Sequence, residues 1–224
     1  MIEFNDDNIY DVQEKNTDMV KTFTRMFIGL LITAATAYFT YSSGLFLTIP
    51  YSLIAIVELV VVLVFSFAFK KLSPGAVTVL YYIYAILNGV TFSTIFAVFD
   101  ISSISSAFLI SALLFGALAL YGYTTDKDMT KFGNILIVGL VVGLIASVIN
   151  LFIGNTIVDI VLDWVILLIF CGLTAYDIQK MRVMQLADEA GREKLYVYFA
   201  MQLYLDFINL FIRILSITAR RSRK

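Results

Sequence analysis

The stretches 173-LTAYDIQK-180 and 203-LYLDFINLFIRIL-215 decide the fold. Each belongs to a run apolar enough to cross a bilayer, and each carries a carboxylate inside that run, Asp177 and Asp206. An acid in hydrocarbon is costly, so such residues face a bundle interior or a water-filled cavity and mark ion or proton pathways. The rest of the chain agrees that lipid is its solvent. Of 224 residues, 60% are hydrophobic and 15% charged, whereas soluble domains are nearer about half apolar and a quarter charged. One soluble core cannot absorb that much apolar surface.

A spanning helix needs about 20 mainly apolar residues. Seven runs qualify, at roughly 26–43, 51–69, 77–98, 104–123, 134–154, 157–179 and 195–217. The expected fold is therefore an all-α integral membrane bundle of seven transmembrane helices. Residues 1–25 form a polar, interfacial or partly disordered N-terminal tail, 26–217 the membrane domain, and 218–224 a basic C-terminal tail. The breaks between runs are short, so consecutive helices are expected as antiparallel neighbours.

Lysine and arginine set the orientation. Eleven of them fall on one side: Lys15, Lys21 and Arg25 in the tail, Lys70 and Lys71, Lys127 and Lys131, and Lys180, Arg182, Arg192 and Lys194 in alternate loops. The other loops carry none, which places the N-terminus in the cytoplasm. Seven spans put Arg220, Arg221, Arg223 and Lys224 outside, against the rule, whereas a last segment that dips and returns puts them inside. The length of 195–217 favours the full span. The net charge of −1 and the absence of a long basic run give no sign of a nucleic-acid partner. There is no histidine, so the usual pH switch and commonest metal ligand are absent. The single cysteine, Cys171, reads as a small packing residue.

Gln202, Asp206, Asn209 and Arg213 recur at spacings of 4, 3 and 4, so they share one helical face. Lipid cannot satisfy that stripe. The last helix is accordingly expected at the centre of the bundle. An antiparallel pairing that brings Asp177 level with Asp206 puts the turn near residues 191–192, at Gly191, about 21 Å from the carboxylates at 1.5 Å per residue. Two acids in one dry site cannot both ionise cheaply, so one keeps its proton. When both are ionised, four oxygens suit a hard cation such as Ca²⁺. The bland alternative is a carboxyl hydrogen bond that only pins the hairpin. Glu58, in 54-IAIVELVVVLVF-65, is a third buried acid, with Arg213 as its expected partner or a backbone carbonyl as the alternative. Asp100, Asp159 and Asp163 read as a solvated outer rim.

These motifs carry a likeness. The stretches 121-YGYTTDKDMTKFG-133, 173-LTAYDIQKMR-182 and 203-LYLDFINLFIRIL-215, with 88-NGVTFSTIF-96, resemble the transmembrane Bax inhibitor motif family in its bacterial branch, from about residue 25 onward. The resemblance implies seven helices with the last in the middle, a bacterial inner membrane and a pH-dependent Ca²⁺ leak. It places the family's paired aspartates on Asp177 and Asp206 and its second-span acid on Glu58. The basic cluster after that span survives as Lys70 and Lys71, a basic latch for the pair or headgroup anchors. Asp126 stands where the family often has a basic residue, and Ser216 where it often has an arginine.

Three functions fit the acids. The first is a pH-sensitive Ca²⁺ leak channel gated by the Asp177–Asp206 pair, with Glu58, Arg213, Asn209 and Gln202 lining or gating the path. It has no cofactor or enzymatic step, and its partners are lipid, Ca²⁺ and protons. The second is a proton-coupled cation exchanger. The third is an intramembrane aspartyl protease, which the absence of a Gly-x-Gly before Asp206 and of a Pro-Ala-Leu after it disfavours.

Overall fold

The computed structural model describes residues 6–69, 71–184 and 189–222. Among them there are seven α-helices, one short 3₁₀ turn at Leu45–Leu47 and no strand. In chain order the helices are α1 (Asp6–Ser42), α2 (Tyr51–Ala68), α3 (Pro74–Val98), α4 (Ile101–Thr124), α5 (Thr130–Ile153), α6 (Thr156–Val183) and α7 (Glu189–Ser222). All except α2 are long and apolar enough to cross a membrane. In α2 the apolar stretch is Ile56–Phe65. The chain is an integral membrane protein built as a helical bundle.

Local chemistry explains where the helices begin and end. Pro74 opens α3, where its missing N–H costs nothing. Gly154 closes α5 in the left-handed region at φ 69°, which only glycine adopts freely. Asn155 then accepts the Ile157 N–H at 2.9 Å and starts α6.

Asp100 caps α4 through the Ser103 N–H at 2.8 Å and the Ser103 hydroxyl at 2.7 Å. Those bonds hold its carboxyl below the usual aspartate range. A depressed carboxyl stabilises the fold above its unfolded-state value, and that contribution is lost as pH falls through the folded-state value. First-turn amides of α4 are therefore expected to lose protection, relative to the pH-dependent intrinsic exchange rate, with acidification across that window. Asp100→Asn keeps an acceptor oxygen but not the charge and should flatten the dependence, as hydrogen exchange read by mass spectrometry would report.

The chain divides into two compact units. One comprises Met1–Val98 with Met184–Tyr204, the other Phe99–Val183 with Leu205–Lys224. In the first, α1 and α3 approach closely because Gly89 has no side chain: a Cβ there would lie 2.7 Å from the Thr33 carbonyl oxygen. The expected N-terminal tail is helical from Asp6 onward and continuous with the first span. Arg25 pairs with Glu193, and the Tyr196 hydroxyl donates to Asp18, so this extension is tied to the start of α7.

In the second unit, α6 packs beside α4 and α5. Gly122 lets the α4 backbone touch α6 at Ala175, and Gly133 seats the Tyr176 ring against α5. Phe207 of α7 meets Phe108 and Phe115 of α4 edge-on. Residues such as Leu113, Ile135, Val138 and Leu168 stay exposed on the outer faces, as lipid-facing surfaces require.

Helix α7 differs from the rest. In its apolar stretch 72% of residues are buried, against 11–33% in the other five candidate spans. It is one continuous helix from Glu189 to Ser222, with no dip and return. Gly191 therefore lies inside α7, and the connection expected at 191–192 falls earlier, after Val183.

Candidate functional site

Asp177 and Asp206 both belong to the second unit and are 7% and 3% exposed. They are close enough for each charge to act on the other. Thr174, also buried, lies beside the Asp206 carboxyl and donates its own proton to the Phe170 carbonyl at 2.8 Å. Asp206 Oδ2 is buried and has no hydrogen-bond partner among the described residues. Asp206 thus has both Asp177 and Thr174 of α6 within reach, two residues that share one face of that helix.

Sequence reasoning missed Lys180, which is one turn beyond Asp177 on α6 and acts on it electrostatically. Its Nζ also lies 5.6 Å from the Tyr176 ring centroid. The i to i+3 spacing held the signal. Of the two lysines expected as a latch, Lys71 is exposed and Lys70 lies outside the described residues.

The polar stripe of α7 divides by target. Asp206 and Arg213 face α6. Gln202 instead donates to the Tyr198 hydroxyl at 3.1 Å, and Asn209 to the Leu205 carbonyl at 2.8 Å, both within α7. Glu58 does not meet Arg213. It accepts the Thr91 hydroxyl at 3.0 Å and lies within electrostatic reach of Tyr84 and Tyr204. Thr91 falls within 88-NGVTFSTIF-96, and its hydroxyl, one helix away, satisfies the acid without a cation.

Arg213 binds Asp163 instead, Nη1 to Oδ1 at 2.7 Å. The Ser216 hydroxyl donates to Asp163 Oδ2 at 2.7 Å, and Arg220 Nη2 reaches the same oxygen at 3.0 Å. Asp163 is only 4% exposed, which overturns its reading as a solvated rim. Asp159, by contrast, is exposed and accepts from Asn150 at 2.6 Å, and Asp100 is exposed as well. The Asp163 cluster ties the start of α6 to the end of α7. It also gives Ser216 a role: the hydroxyl, with Arg220 one turn on, completes the set of donors around Asp163.

At the other end of α6, Gln179 and Arg182 reach the α4–α5 connection. Gln179 Oε1 accepts the Met129 N–H at 2.9 Å, and its Nε2 donates to the Lys127 carbonyl at 2.7 Å. Arg182 donates to the carbonyls of Tyr123 and Thr125, the latter at 2.9 Å. Two of the sequence stretches quoted above thus dock directly on one another.

Comparison with known proteins now adds to this geometry. A family model described as "Inhibitor of apoptosis-promoting Bax1" matches residues 15–223. The inner membrane protein YbhL of Escherichia coli K12 is 36% identical over 215 residues, 92% of each chain. A protein of Borreliella burgdorferi is 37% identical over 216 residues, 92% of this chain and 93% of that one. A membrane protein of Streptococcus pyogenes is 40% identical over 167 residues, 74% and 72% of the two. With the family model covering nearly all of a helical membrane bundle, the chain belongs to the family of inhibitors of apoptosis-promoting Bax1.

Proposed function

We propose that this protein is a Ca²⁺ leak channel of the bacterial inner membrane, gated by a proton that Asp177 and Asp206 share. It acts without a cofactor or an enzymatic step. Seven helices span the bilayer, with α7 as the central post. The seventh span is α2, whose 18 residues cover about 27 Å at 1.5 Å per residue. The N-terminus faces the cytoplasm, as the eleven lysines and arginines of alternate loops favour. The C-terminus faces out, where Asp163 offsets part of the charge of Arg213 and Arg220.

The observation that carries the reading is the pair of buried, mutually interacting acids on helices of a membrane bundle. With the proton in place, α6 and α7 stay joined. Its loss leaves two like charges that repel, and the bundle shifts between closed and open populations. Ca²⁺ is cargo here. No cluster of three or more Asp, Glu, His or Cys side chains gathers among the described residues, and two carboxylates fall short of the six to eight oxygens of a tight Ca²⁺ site. Such a pair favours passage over storage.

The test is Ca²⁺ flux through purified protein in liposomes across pH 5–8. A pH-dependent rate is expected, with the dependence lost in Asp177→Asn and in Asp206→Asn. Unchanged dependence in both variants would falsify the shared-proton gate. Uphill Ca²⁺ movement driven by a pH step would instead identify a proton-coupled exchanger using the same pair.

A further inference from the structure

We infer that Gln179 and Arg182 are positioning residues for the proton-sharing pair: they clamp the Asp177 end of α6 to the α4–α5 connection, so that Asp177 stands on a fixed wall. This inference rests on the leak reading above and names what holds one side of the pair in place.

The clamp is made of main-chain partners. The last carbonyls of a helix and the first N–H groups of the next have no partner inside their own helix. Arg182 takes the Tyr123 carbonyl in the last turn of α4 and the Thr125 carbonyl just beyond it. Gln179 takes the Met129 N–H, immediately before α5, together with the Lys127 carbonyl. Gln179 is buried and engages at both ends of its amide. Two side chains one turn apart on α6 therefore satisfy the end of α4 and the start of α5. Backbone partners cannot turn away as side chains do, so α4, α5 and this end of α6 hold together as one block. Gly122, with the α4 backbone against Ala175, closes the same block from within the membrane.

Asp177 lies two residues before Gln179, inside that block. Against α7, the block makes edge-on aromatic contacts, the contacts around Asp206 and, at the far end of α6, the Asp163 cluster. Charge repulsion at the pair thus acts on an Asp177 whose own end of α6 is held by the α4–α5 connection. The charged groups that act on Asp177 are Asp206 on α7 and Lys180 on α6, while Arg182, further along α6, is engaged with the connection. The α4–α5 connection adds Asp126, Lys127 and Asp128, all exposed.

Because Arg182 is itself charged, the test uses variants that preserve charge. Gln179→Leu removes all of the amide's bonds, and Arg182→Lys keeps the cation but loses the fork that spans two carbonyls. Each should raise hydrogen exchange at Met129 and its neighbours at least tenfold. Each should also broaden the pH profile of liposome Ca²⁺ flux or move its midpoint by more than half a pH unit, with Asp177 and Asp206 intact. If the wild-type flux ignores pH, the leak reading itself fails. A pH-sensitive wild type with unchanged profiles in the variants, while exchange reports the connection released, overturns the clamp alone. Unchanged exchange overturns it too, because the bonds would then not be holding the connection.

Discussion

Arg213→Ala should lower stability by about 3 kcal/mol, the low end of the range for breaking a buried ion pair. Truncation leaves Asp163, 4% exposed, facing the void of a lost guanidinium. The low end applies because the Arg213 side chain is 22% exposed, and because Ser216 and Arg220 still reach Asp163 Oδ2. Most of the loss is the cost of an under-compensated carboxylate, not the worth of the pair. It should therefore shrink when the carboxylate goes as well. Asp163→Asn combined with Arg213→Ala is expected to recover about half of it. Unfolding midpoints of the wild type, both single variants and the double in one detergent complete the cycle. A loss of only about 0.5 kcal/mol for Arg213→Ala would mean that the pair behaves as a surface pair. A double variant no better than the single would remove the buried charge as the cause.

This cluster also shows what the sequence could and could not convey. The helices were legible because lipid demands long apolar runs, and six of the seven expected runs became helices of spanning length and apolarity. Their ends were not. Helix α1 begins at Asp6 and α6 continues to Val183, because a helix leaving the hydrocarbon no longer needs an apolar sequence. The charge partners were harder still. Asp163 sits in the second turn of α6, where an outer-rim acid would look the same, and its partners lie 50 or more residues away. One signal was present: Arg213, Ser216 and Arg220 share a face of α7 at spacings of 3 and 4 and call for an acid opposite. Pairing Glu58 with Arg213 followed charge alone and overlooked a neutral donor, Thr91. The Asp177–Asp206 proximity was legible because both acids interrupt apolar runs.

Gly122→Ala should be the most disruptive one-methyl change in the second unit. A Cβ at residue 122 would lie 2.3 Å from the Ala175 carbonyl oxygen and 3.0 Å from its carbonyl carbon and Cα. All three are backbone atoms, so no side chain can rotate aside and α4 must separate from α6. Overpacking of this kind costs about 1–3 kcal/mol, occasionally more. Gly116 is the internal control: it lies in the same helix, and its Cβ would meet nothing within 4 Å. There alanine should only improve helix propensity, by up to about 1 kcal/mol. The two substitutions are chemically identical, so a lowered unfolding midpoint for Gly122→Ala beside an unchanged or raised one for Gly116→Ala isolates the close approach as the cause. Equal midpoints would mean that α4 and α6 do not touch at Ala175. Since Ala175 is two residues from Asp177, prying these helices apart should also disturb the pH profile of flux in the folded fraction, which Gly116→Ala should leave alone.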